Sequence, residues 1–185
     1  MKRIVLVDGE NFKAKINAVF RAAGKTRPKW HQYDFKSLFT QVFNGITIDQ
    51  FYFYFARIKE HPQTRTKSKQ LIEEQRLLKT HLEKQGFQII LQGRVRGQFE
   101  ADGRLVFKEK GVDVKIAVDM VSLSCDKKTD EILLLSSDSD LQPAITEVKK
   151  RDVKCVYVGF ENQPNRGMSY TADRTILIRD TEVLR

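Results

Sequence analysis

Asp8, Asp113, Asp138 and Asp140 are the side chains of this chain whose type and setting promise chemistry. Asp8 closes the apolar run Ile4 to Val7, and Asp138 and Asp140 close Ile132-Leu133-Leu134-Leu135-Ser136-Ser137. An apolar run that ends abruptly in hydroxyls and carboxylates reads as a strand buried on both faces of a parallel sheet. Ligands of such sheets gather beyond the strands' carboxyl ends. Asp113 opens another apolar stretch, Val114 to Ser124, whose composition predicts a nearly fully buried helix with the acid at its electropositive start. Carboxylates that meet at one sheet edge repel one another, and a divalent cation held by oxygen ligands relieves that repulsion. His and Cys are absent from the set, so Mg2+ or Mn2+ suits it better than zinc. An ion of this kind orients or deprotonates water and stabilises the charge growing on an attacked phosphate.

The metal ligands expected on this reading are Asp8, Asp113 and Asp138, with Asp140 and Asn11 as further catalytic candidates. Ser136 and Ser137 stand behind them as donors to the carboxylates. Asp119 lies six residues after Asp113, about 240° further round an ideal helix, which makes it a supporting residue. Each acid also has a local reading: Asp8 before Gly9 as turn chemistry, Asp113 as a helix cap, Asp138 and Asp140 as caps of the next helix.

The elements that must position these groups follow from apolar periodicity. Residues 3 to 7 form a strand, Asn11 to Ala23 a helix and Tyr33 to Phe43 a second helix. Ile46 to Ile58, rich in aromatic and branched residues, forms a second strand whose rings belong to the core. After the break at His61-Pro62, Thr64 to Lys69 reads as a basic loop before a helix from about Ser68 to Gln85. A third strand starts at Phe87, and Ala101-Asp102-Gly103 marks the turn of a protruding basic hairpin over about residues 92 to 108. The strand 132 to 135, a helix from Leu141 to Lys150, a strand from Val153, a short helical turn at Ser169 to Asp173 and a strand at Thr175 to Ile178 complete the chain. This order specifies one α/β domain over residues 1 to 185, with a mostly parallel sheet flanked by helices.

The net charge of +9 is unevenly spread. Residues 13 to 36 carry seven Lys/Arg against one acid, and residues 57 to 110 carry thirteen against seven, so each stretch is +6 and the rest of the chain is −3. Basic segments around an acidic centre favour a polyanion, and nucleic acid is the commonest one. Lys13, Arg27, Lys29, Arg65, Lys67, Lys69, Arg94 and Arg96 are the expected backbone contacts. Cys125 and Cys155 have no CxxC partner and read as two buried thiols. No apolar run approaches the ~20 residues of a membrane helix, and the short run after Met1-Lys2-Arg3 is no signal peptide, so the cytoplasm is the expected location.

Val7-Asp8-Gly9-Glu10-Asn11, Lys110-Gly111-Val112-Asp113 with Asp119 after it, and Ser136-Ser137-Asp138-Ser139-Asp140 together resemble the NYN family, the PIN-like nuclease domains typified by bacterial LabA-like proteins. The motifs run in series over nearly the whole chain. The resemblance implies a PIN-like fold, a divalent-metal site on Asp8, Asp113 and Asp138 and cleavage of RNA, and it gives a place to Asp173. Two departures are Ser137, where the family often has Gly, and Leu141, where an aromatic is frequent. Neither removes a carboxylate. The expected function is a metal-dependent endoribonuclease acting on RNA, with single-stranded DNA as a competing substrate and a second copy of the chain among the candidate partners. A non-catalytic nucleic-acid-binding module is the alternative. A Toprim-like phosphotransfer enzyme ranks behind both, because that family's strand-one acid is Glu and Asp113 would go unexplained.

Overall fold

The computed structural model describes residues 1–60, 62–99 and 105–185; the side chains of residues 63, 96–99, 105 and 108 lie outside the description. The hairpin turn at Ala101-Asp102-Gly103, the expected break residue His61 and the side chain of Arg96 therefore fall outside the described residues. The elements run β1 (Arg3–Asp8), α1 (Gly9–Ala22), α2 (Phe35–Val42), β2 (Gln50–Arg57), α3 (Arg65–Lys84), β3 (Gln88–Phe99), β4 (Leu105–Lys110), α4 (Val112–Cys125), β5 (Glu131–Leu135), α5 (Gln142–Lys149), β6 (Lys154–Phe160), α6 (Arg166–Thr171), β7 (Arg174–Ile178) and α7 (Asp180–Val183). The strands form one sheet in the order β4-β3-β2-β1-β5-β6-β7. All neighbours are parallel except β3 and β4.

Side-chain alternation sorts the core into two layers. Val5, Val7, Phe53, Phe55, Leu133, Leu135, Val156 and Val158 face one way and pack on α1, α2, α3 and α7. Ile4, Leu6, Tyr54, Ala56, Ile132, Leu134, Cys155 and Tyr157 face the other and pack on α4, α5 and α6. Asp8 and Ser136 have the parity of the second set, so both side chains leave the sheet on the α4 side. β1 lies between β2 and β5, where the chain's progress across the sheet reverses, and crevices at such reversals are where open α/β sheets bind ligands.

β3 runs past the end of β2, and β4 folds back along that overhang, Arg94 pairing with Lys110 and Phe99 with Leu105. Lys110 thus returns to the carboxyl edge of the sheet, and α4 starts there. Gly111, at φ +90°, makes the turn, a left-handed conformation that costs a residue with a Cβ extra energy. α4 then packs across β1, β2 and β3 and against the 3-10 turn Ser139–Leu141.

Several expectations need correction. α4 is buried on one face rather than nearly fully buried: Val112, Ile116, Met120 and Ser124 face the sheet, while Val114 and Val118 are 66% and 52% exposed because only one face of the helix meets the sheet. The basic stretch 65 to 69 is the first turn of α3 and not a loop, since Lys and Arg are good helix formers and nothing after Pro62 breaks the helix. The helical turn near residue 170 begins earlier, at Arg166, because Asn165 caps it. Cys155 is buried, but Cys125 is exposed at the end of α4, where its Sγ accepts from Arg151 Nε at 3.1 Å.

Candidate active site

β1 and β5 deliver their polar ends side by side, and a hydrogen-bonded chain joins them. Asp8, 6% exposed, accepts from Asn11 N at 3.1 Å through Oδ1 and from Ser136 Oγ at 3.2 Å through Oδ2. Ser136 Oγ in turn accepts from Asp138 N at 3.2 Å, and Asp138 Oδ1 accepts from Asp140 N at 2.9 Å. Asn11 Oδ1 accepts from Ser137 N at 3.2 Å, tying α1 to the turn after β5. The capping readings of Asp8 and Asp138 are thus real, since both cap the helical turn that follows them. Capping does not exhaust either carboxylate, because each oxygen has two acceptor sites.

Electrostatics brings Asp113 into the same group. Burial raises the Asp8 carboxyl from 3.8 to about 6, with Asp113 and Glu10 adding to the rise and the bonds from Asn11 and Ser136 opposing it. Asp113 is raised by burial and then by Asp138 and Asp140. Among the described residues no three His, Cys, Asp or Glu side chains are already gathered into a cage for an ion. The acids influence one another across the crevice without closing on a common point, as like charges do. Their chemistry fits a hard divalent cation: the donors are all oxygens, and the charges acting on Asp8 and Asp113 are those of other carboxylates.

Asp119 sits apart in its bonding. Its Oδ2 accepts from the buried Tyr54 hydroxyl at 2.9 Å and its Oδ1 from Lys115 Nζ at 2.6 Å; burial, and after it the charge of Asp119, pushes the Tyr54 hydroxyl up. Asp173 also lies elsewhere, accepting from Cys155 N at 2.7 Å at the opposite end of β6.

Sequence reasoning missed two residues. Glu109, on β4, is half-buried, and its carboxyl is raised from 4.5 to about 7 by burial, then by Asp8, Glu10 and Asp113, against the lowering effect of Lys13. Asn165 braces the acidic turn: its Nδ2 donates to Ser137 O at 2.9 Å while its Oδ1 caps α6 through Met168 N at 3.1 Å. The only signal for Asn165 in the sequence is an Asn ahead of a short helix.

A cleft of about 570 Å3 adjoins the acids between α1, the loop after it, α3 and the β3–β4 hairpin, and Glu10 and Glu109 line it as well. Of the expected basic contacts, Lys13, Arg27 and Lys29 line this cleft. Lys67 stands 5.8 Å from the Phe107 ring, and Arg65 pairs with Glu60 at 2.5 Å. Lys69 and Arg94 are exposed on α3 and β3 without lining the cleft. No described helix is long and apolar enough to cross a membrane.

A family model, the NYN domain, matches residues 2–179. No curated protein matches the chain. Among solved structures, the crystal structure of a protein of unknown function from Vibrio parahaemolyticus is similar, with a TM-score of 0.64 and 18% identity over 96% of this chain and 92% of that one. That likeness shows the α/β fold.

Proposed function

Because the chain belongs to the NYN domain family, whose members are PIN-like nuclease domains, we propose that it is a metal-dependent endoribonuclease with Asp8, Asp113 and Asp138 as metal ligands. The observation that carries the reading is the buried Asp8 at the reversal point of the sheet, raised to about 6 and surrounded by further acids. A carboxylate kept there at neutral pH is costly without a cation to offset it. Mg2+ or Mn2+, when bound, would supply an activated water and a counter-charge for the phosphate.

The chain's own residues divide the remaining work. Asn11 and Ser136 hold the two oxygens of Asp8 in fixed directions, and Ser136 links that carboxylate to the backbone of Asp138. Asp140 adds negative charge at Asp113. Lys13, Arg27 and Lys29, at the adjoining cleft, hold the phosphates on either side of the reacting one. RNA is the proposed substrate, with single-stranded DNA as the comparison. Purified protein with Mn2+ cuts single-stranded RNA on this reading, and Asp138→Asn does not. Equal cutting by the two proteins sinks the assignment, and salt-sensitive RNA binding without any metal-dependent cutting selects a non-catalytic binding module.

A further inference from the structure

The cleft beside the acids has a composition that phosphate gripping alone does not need. Trp30, Phe55 and Phe107 contribute rings to its walls. Lys13 Nζ stands 5.8 Å from the Trp30 ring centroid and 5.5 Å from that of Phe55, held there by an ion pair with Glu10 at 2.7 Å. Trp30 is braced for a contact role: its indole stacks on Phe35 at 6.3 Å and 25°, and meets Tyr33 edge-on at 6.2 Å. It is only partly buried, although a ring so placed has core residues behind it. Phe55, by contrast, is core, and Gly9 leaves it room: a Cβ on Gly9 would lie 2.1 Å from Phe55 Cε1.

We infer that this cleft is a base-binding subsite, seating one unpaired nucleobase against Trp30 beside the acidic centre, with Lys13, Arg27, Lys29 and Lys59 taking the adjoining phosphates. Three observations converge on it. The volume of about 570 Å3 lies in the range of small-ligand pockets, about 300 to 1,000 Å3. The mixture of an aromatic platform with ammonium and guanidinium groups is the chemistry that holds single strands, since every base has a π-face and every link a negative charge. Glu10 and Glu109 line the cleft and also interact electrostatically with Asp8, Asp113 or each other, so a strand seated here lies beside the acids. A base within a duplex already stacks on its neighbours and cannot lay its face on Trp30. The inference rests on the nuclease reading for its substrate class, but its test does not depend on cleavage.

Trp30 is the one tryptophan of the chain, so emission excited beyond the tyrosine absorption band reports this site alone. Metal-free full-length protein is titrated with a short oligoadenylate and, separately, with the same strand annealed to its complement. Emission falls with the single strand and stays unchanged with the duplex. By anisotropy of a labelled oligoadenylate, Trp30→Ala binds roughly tenfold more weakly, whereas Trp30→Phe, which keeps a ring, loses much less. A circular-dichroism melt checks that both variants fold. The inference is overturned by binding that leaves the emission unchanged, by equal quenching from the duplex, or by a folded Trp30→Ala that binds like the wild type. Quenching without Mn2+-dependent cleavage upholds the subsite and removes the nuclease reading. Cleavage without quenching does the reverse.

Discussion

Replacing Asp8 with Asn removes one buried negative charge while leaving the local geometry almost intact. The new amide oxygen still accepts from Asn11 N, and its nitrogen can donate to Ser136 Oγ in place of the bond received now. Asn also caps helices as well as Asp does. The charge is a different matter. The folded-state value of Asp8 is about 6 against an ordinary 3.8, so between these pH values the folded protein holds a proton that the unfolded chain has released. Stability carried by that proton is lost as pH rises through the window. At about 1.4 kcal/mol per tenfold change, the full loss is about 3 kcal/mol by neutral pH. Metal-free Asp8→Asn is therefore more stable than wild type at pH 8 by up to about 3 kcal/mol, or roughly 6–12 °C in Tm for a chain of this size. The two proteins converge as pH falls below 3.8, where Asp8 becomes protonated in the folded and the unfolded chain alike. Urea unfolding followed by circular dichroism across pH 4 to 8 in EDTA reads the difference, and added Mn2+ raises the wild-type midpoint but not the variant's. If burial did not raise the Asp8 carboxyl, the two curves would run parallel at all pH values. A variant equal to or weaker than wild type at pH 8 refutes the reasoning.

Glu109, raised to about 7 by burial and then by Asp8, Glu10 and Asp113, ionises after Asp8 at about 6, so Glu109→Gln leaves the ionisation of Asp8 in place and removes only the charge that would appear near neutral pH. Mn2+ affinity of the variant therefore levels off after the Asp8 value of about 6 instead of rising again through about 7, as calorimetric titration at several pH values measures. Asn165→Ala loses both the cap on α6 and the bond to Ser137 O; it destabilises the fold by about 1–2 kcal/mol in urea. Gly9→Ala drives a methyl into the packed Phe55 ring. Its cost is about 1–3 kcal/mol by the same measurement, with Phe55→Leu in the same chain recovering part of it.

Asp8 and Asp138 were legible because a parallel strand writes itself as an uninterrupted apolar run, and its end is where the run stops. Asp113 was legible through its place at the head of an apolar helix. The face that α4 buries was not, since Val114 and Val118 are as apolar as Ile116 and Met120, and only the position of the sheet decides between them. Glu109 stands between Lys108 and Lys110 and reads as part of a basic stretch; its meaning comes from the β3–β4 register that sets it opposite Val95 and folds it back toward the acids. The basic residues posed a similar difficulty. Charge counts along the chain cannot tell Lys13, which meets the cleft, from Lys69, whose helix turns it outward.

The central claim is that Asp8, Asp113 and Asp138 together hold a divalent ion. Crystals of the protein soaked in Mn2+ test it most directly, through anomalous difference density at the manganese edge. The account predicts a peak bounded by these three carboxylates that disappears in Asp138→Asn. A peak elsewhere in the molecule, or none at a Mn2+ concentration that supports RNA cleavage, contradicts it.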